Sequence, residues 1–127
     1  MNFILKNKKI FALLFWIWLL AILYFTFIPN SPKMTIYYKK DTFRLDYLLH
    51  FLVYLSLSVL FFLWRANKFF SLQLKEISIY LIMGILICGL SEYIQIYIPG
   101  RSFNMNDFYC NASGIIAGII LPRIILK

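Results

Sequence analysis

Three short runs of this chain gather the side chains able to do chemistry. Asp46, His50, Tyr54 and Ser58 recur every four residues, a spacing that sets them on one slowly turning stripe of a helix. Gly84, Cys88, Glu92 and Gln95 share a second face, and Asp107, Asn111, Gly114 and Gly118 a third. An imidazole among carboxylates is equipped for general acid–base work, with His50 and Glu92 as the candidate catalytic pair. Asp46, His50, Glu92 and Asp107 are also suitable ligand types for a divalent cation, although their spacing matches no metal motif. Arg101 adds a planar fork that binds phosphate or carboxylate through two hydrogen bonds. No Ser or Cys is placed beside His50 as a nucleophile, which argues against covalent catalysis.

These residues lie in stretches too apolar for water. Of 127 residues, 62% are hydrophobic and 14% charged, against about one quarter charged in an average soluble domain. A membrane-crossing helix needs roughly 20 apolar residues, and four stretches qualify: 10–28, 46–64, 77–98 and 107–126. Each lacks two-residue alternation, which favours helices over barrel strands. Pro99-Gly100 stops the third, and Arg123 near the end of the fourth can reach the interface along its own stem. The expectation is a single-domain, all-α integral membrane bundle of four helices. Residues 29–45 form the longest loop, with Tyr37 and Tyr38 as interfacial anchors.

Depth follows from the rise of 1.5 Å per residue: His50 and Asn111 fall about 6 Å below the outer helix ends, and Glu92 about 9 Å. Three helices thus present imidazole, amide and carboxylate groups at matching depth. His50, Glu92, Gln95, Asp107 and Asn111 are expected to converge near Arg101, and with Asp46 and Tyr54 these are the candidate binding residues. Ionisable groups at such depth face a bundle interior or a watery cavity. Each also has a structural explanation. Asp46 and Asp107 suit helix N-caps, His50 an interhelical hydrogen bond, and Arg101 an ion pair with Glu92. Gly114 and Gly118 form a G-x-x-x-G surface for close helix contact. Cys88 and Cys110 read as small apolar residues, since they lack the spacing of a zinc site or a disulfide scaffold.

The net charge of +8 is spread over the flanks of the spans, where it sets topology and meets anionic lipid. No surface remains for nucleic acid. With the N-terminus on one side, that side carries eight of the basic residues (Lys6, Lys8, Lys9, Arg65, Lys68, Lys75, Arg123, Lys127). The other carries five (Lys33, Lys39, Lys40, Arg44, Arg101). The excess places both termini in the cytoplasm. The first stretch exceeds a signal-peptide core, and no A-x-A-like cleavage site follows it, so it reads as a retained anchor.

The run from Asp46 to Tyr54, with His50 and Phe51 within it, resembles the D-K-x-x-H-F-x-x-Y element of the VanZ-like family. Glu92 and Gln95, then Pro99-Gly100-Arg101-Ser102, then Asp107, Asn111 and Gly114 resemble that family's E-x-x-Q, P-G-R-S and D-x-x-x-N-x-x-G elements in the same order. The resemblance spans roughly residues 27–118. It departs at Tyr47, where the family usually has Lys, and Arg44 is a cation one helical turn earlier. The resemblance implies a bacterial cytoplasmic-membrane protein acting at the cell envelope. The family takes its name from a protein that lowers susceptibility to teicoplanin, so glycopeptide susceptibility is the phenotype to examine.

Three functional classes follow. One is a protein that binds or processes a lipid or lipid-linked envelope precursor, with Arg101 and the outer N-termini of the second and fourth helices facing a phosphate, and a divalent cation bridging the carboxylates to it. Another is a non-catalytic bundle whose polar network is structural or binds a partner protein. The third is an intramembrane acid–base enzyme using His50 and Glu92. The orientation common to all three is testable by labelling intact cells with a membrane-impermeant maleimide. A cysteine introduced at Asn104 should react, and one at Asn67 should react only after permeabilisation; the reverse pattern would invert the topology.

Overall fold

The computed structural model describes residues 2–29, 35–38, 41–67 and 71–126. Lys33, Lys39, Lys40, Lys68 and Lys127, counted above for orientation, lie outside the described residues, as do the side chains of Tyr37 and Tyr38. The elements are α1 (Asn2–Lys6), α2 (Lys8–Thr26), β1 (Thr35–Tyr38), β2 (Asp41–Arg44), α3 (Leu45–Arg65), α4 (Leu74–Ile94), a 3-10 turn (Gln95–Tyr97) and α5 (Met105–Ile125). Four helices, the third counted with its 3-10 turn, are long and apolar enough to cross a membrane. The chain is therefore an all-α, multi-pass integral membrane protein, as its composition requires.

Local chemistry moves the helix ends from where hydropathy alone puts them. Helix α4 begins at Leu74 rather than residue 77 because Gln73 and Glu76 form a reciprocal capping box, which satisfies two N–H groups that the first turn leaves orphaned. Glu76 also accepts from Arg65 at the end of α3, with Nε donating over 2.9 Å. Helix α5 begins at Met105 because the Asn104 side chain accepts from the Asn106 N–H, 3.1 Å away. Asp46 and Asp107 are therefore not N-caps. They sit in the first turns of α3 and α5, where a carboxylate still meets the positive end of the helix dipole. Gly100 ends the third span with φ 75°, a conformation that glycine adopts without strain.

The stretch expected to be a loop contains an antiparallel hairpin that pairs Thr35 with Arg44 and Tyr38 with Asp41. Strand β2 runs directly into α3, so the ladder fixes where the second span starts. Alternation over four residues is too short to stand out in a sequence of this composition.

Helices α3 and α5 form the closest pair in the bundle. A Cβ added at Gly114 would fall against the Phe51 carbonyl oxygen and 2.9 Å from the Leu55 nitrogen. One added at Gly118 would meet the Leu55 carbonyl and the Ser58 side chain. Backbone thus rests on backbone, the contact that small residues permit between membrane helices. The end of the bundle near Arg65 is filled with aromatic rings. Phe61 stacks on Tyr80 with centroids 4.0 Å apart, Phe15 lies 5.5 Å from Trp64, and the Tyr80 hydroxyl meets Ser58 Oγ at 2.8 Å. The outer faces remain apolar: Leu13, Leu20 and Phe25 of α2 and Ile82, Leu86 and Leu90 of α4 are each more than half exposed, a surface suited to lipid and not to water.

If the two glycines set the α3–α5 distance, Gly114→Ala and Gly118→Ala should each destabilise the protein by about 1–3 kcal/mol through overpacking. Gly89→Ala, whose Cβ would meet only Phe108 at 3.9 Å, should leave the unfolding temperature in detergent unchanged.

Candidate functional site

The opposite end of the bundle is open where the Arg65 end is filled. A cavity of about 690 Å³ lies among α2, α3, α5, the end of α4 and the segment around Arg101. All eight candidate binding residues line it: Asp46, His50, Tyr54, Glu92, Gln95, Arg101, Asp107 and Asn111. Ser58 and Gly118, further along the same helical faces, are instead buried where α3 meets α5. Beside the cavity, an apolar groove of about 170 Å³ runs between α2 and α4, lined by Leu23, Phe27, Ile87, Leu90 and Ile94 together with Thr26 and Ser91, and the last two also line the cavity.

At the centre is a chain of hydrogen bonds through Asn111, which is 1% exposed. Its Nδ2 donates to Glu92 Oε1 over 3.3 Å, and its Oδ1 lies 3.0 Å from His50 Nδ1. The direction of this chain follows from the groups themselves. With Glu92 ionised its oxygens only accept, so the amide turns its NH2 toward Glu92 and its oxygen toward the imidazole. His50 Nδ1 must then carry the proton, which leaves Nε2 as the variable nitrogen. It lies 3.7 Å from Asp107 Oδ2, too far for a hydrogen bond but close enough for an ion pair when the ring is protonated. Asp107 and Glu92 are near enough to repel one another, and Tyr54 is buried beside Cys88 and Ser91 of α4.

Two fully buried oxygens in this cluster have no hydrogen-bond partner among the described residues: Glu92 Oε2 and Asp107 Oδ1. Arg101 does not form the expected ion pair with Glu92. Its Nε donates to the Ile28 carbonyl over 3.2 Å and its Nη2 to the Phe25 carbonyl over 2.9 Å. Those carbonyls lie in the last turn of α2 and just past its end, where the regular i+4 backbone donors run out, and Arg101 meets them rather than a carboxylate on another helix. Arg101 thereby ties α2 to the other side of the cavity. Its charge reaches Glu92 only through space, and no carboxylate among the described residues neutralises it.

Arg44 supplies the second cation at the mouth. Its Nη2 meets Asp46 Oδ2 at 3.0 Å, its Nη1 donates to the Tyr47 hydroxyl over 3.0 Å, and its guanidinium lies 4.6 Å from the Tyr47 ring centroid. The hydrogen bond to Asp46 pushes the Arg44 pKa above its ordinary value, so the group stays charged. Tyr47, standing where the resembling family has Lys, carries a cation on its ring face instead.

One further expectation meets the geometry differently, and one wall of the cavity lies outside every expectation. Among the described residues, no three His, Cys, Asp or Glu side chains lie close enough to hold a metal ion. Asp46 is occupied by Arg44, so Asp46, His50, Glu92 and Asp107 do not make one coordination shell. The wall formed by α2, with Trp18, Ala21 and Thr26 facing the cavity, went unforeseen because only Thr26 interrupts an otherwise apolar run.

These features define a small multi-pass membrane protein whose own buried polar side chains line a cavity at one end of its helices. The VanZ/LLP1 family model matches residues 15–126, nearly the whole chain, and the protein belongs to that family. No curated protein and no solved structure matches it.

Because Asn111 joins three helices, Asn111→Leu should leave His50 Nδ1 and Glu92 Oε1 unpartnered together. A loss of about 2–4 kcal/mol is expected for two unsatisfied buried groups, read as a lower unfolding temperature in detergent.

Proposed function

We propose that this protein binds a lipid or lipid-linked precursor of the bacterial cell envelope, with the phosphate-bearing head group in the cavity and the apolar chain in the membrane. The observation that carries this reading is the cavity itself: about 690 Å³ at membrane depth, polar on α3, α4 and α5 and largely apolar on α2. That is the range of volumes that take small-molecule ligands. The adjoining groove, entered past Thr26 and Ser91, offers an acyl or prenyl chain a path between α2 and α4 toward the bilayer. Arg101 and Arg44 at the mouth supply charge to a phosphate. Three N–H groups of Arg101 remain after its two carbonyl bonds, on the guanidinium count of five.

A second reading has an observation of its own. The chain from Glu92 through Asn111 to His50 joins α4, α5 and α3, so the polar cluster also holds the bundle together. Acid–base chemistry is a further use of the same ligand site: the cavity-facing His50 Nε2 has Asp107, rather than Glu92, as its neighbour.

The ligand and scaffold readings separate when the cavity is filled without touching the network. Ala21 lines the α2 wall, and Ala21→Trp should displace a head group while leaving the hydrogen bonds intact. Native mass spectrometry of the purified parent should show retained phosphate-bearing lipid, and the variant, equally stable in detergent, should show less than about one tenth of it. In cells lacking the parent gene, any change in glycopeptide susceptibility should be restored by the parent and not by the variant. Equal lipid retention in both proteins would overturn the ligand reading.

A further inference from the structure

Each of the two buried carboxylates of the cavity keeps a fully buried oxygen with no hydrogen-bond partner among the described residues. Glu92 Oε1 accepts from Asn111, and Oε2 has no partner among the described residues. Asp107 Oδ2 faces His50, and Oδ1 likewise has none. Glu92 is 1% and Asp107 7% exposed, and both line the cavity. A buried acceptor left without a donor is costly, more so when charged. The Asn104 N–H lies near enough to act on the Glu92 carboxylate and the Arg101 guanidinium acts on it through space, yet neither gives Oε2 a donor in hydrogen-bond geometry. The cavity therefore has two chemical ends: free guanidinium N–H groups near Arg101, and acceptors that want donors at Glu92 and Asp107.

Resting on the lipid reading above, we infer that the preferred head group carries hydrogen-bond donors beyond its phosphate, and that Glu92 and Asp107 are the residues that select for them. The phosphate meets Arg101, and an ammonium or hydroxyl one or two bonds further in reaches Glu92 Oε2 and Asp107 Oδ1. A head group of the same charge and similar shape without N–H or O–H groups leaves both oxygens unsatisfied. Selection of this kind is strong because the penalty falls on the protein's own buried groups.

Phosphatidylethanolamine, phosphatidylglycerol and phosphatidylcholine test this directly. The first offers ammonium N–H groups and the second hydroxyls; the third is the first with every N–H replaced by a methyl. Binding of short-chain forms to the full chain in detergent is read from native mass spectrometry and from the fluorescence of Trp18 on the cavity wall, with Trp16→Phe and Trp64→Phe removing the other indoles. Either donor-bearing lipid should bind at least about tenfold more tightly than phosphatidylcholine, the size expected for unsatisfied buried acceptors. Whichever of the two leads identifies the donor.

Glu92→Gln provides the control within the site. The amide oxygen takes the Asn111 hydrogen bond, so an NH2 replaces the acceptor that faces the cavity. The preference over phosphatidylcholine should fall to about twofold or less. Asp107→Asn makes the same test at the other oxygen should the first variant fail to fold. Equal binding of all three lipids by the parent would overturn the inference and leave the lipid reading standing, as would a preference unchanged in both variants. Binding of none would overturn both.

Discussion

Backbone lies against backbone where Gly114 and Gly118 of α5 meet Phe51 and Leu55 of α3, and the polar cluster depends on that contact. A hydrogen bond between side chains as short as those of His50 and Asn111 requires their helices to be close. One turn of α5 separates Gly114 from Asn111, and the 3.0 Å bond to His50 is the direct result. Lipid supplies no competing hydrogen bonds, so a polar group in the span must find its partner inside the bundle. The glycines make that possible by removing the side chains that would hold the helices apart.

The same contact divides the bundle into two ends of different character. Toward Arg65, Phe15, Phe61, Trp64 and Tyr80 fill the space between helices. Toward Arg101, α2 leans on the structure through hydrogen bonds to two backbone carbonyls and the space stays open. Trp18 adds a further tie, its indole N–H donating to the Val53 carbonyl over 3.2 Å. Both ties use backbone acceptors, so α2 is positioned without consuming the carboxylates of the cavity.

Much of this was legible in the sequence for a definite reason. Stripes of four-residue period survive into the structure because a helix in lipid has few alternatives, and Asp46, His50 and Tyr54 stay together on α3 while Asp107 and Asn111 do so on α5. The matching levels of His50, Glu92 and Asn111 along their helices were legible because rise per residue is constant, and the three meet in one chain of hydrogen bonds. The partners of Arg101 and the start of α4 were not legible. Arg101 was expected to meet the nearest opposite charge, but its partners are carbonyls 73 and 76 residues away in sequence, which carry no residue-type signal at all. Hydropathy starts the third span at residue 77, whereas the capping box of Gln73 and Glu76 starts the helix at Leu74. The β1–β2 hairpin escaped notice because four-residue strands leave too short a pattern.

The amide of Asn111 has one more consequence. A hydroxyl or a water placed between Glu92 and His50 could pass a proton along by accepting on one side and donating from the other. A carboxamide donates only from nitrogen and accepts only at oxygen, so a proton arriving at its oxygen has no ready exit on the nitrogen side. Asn111 therefore couples the two groups in orientation while insulating them in proton exchange. Glu92 and His50 are neighbours in structure that exchange no proton through the amide, and a proton that His50 gives or takes at Nε2 passes by way of the cavity.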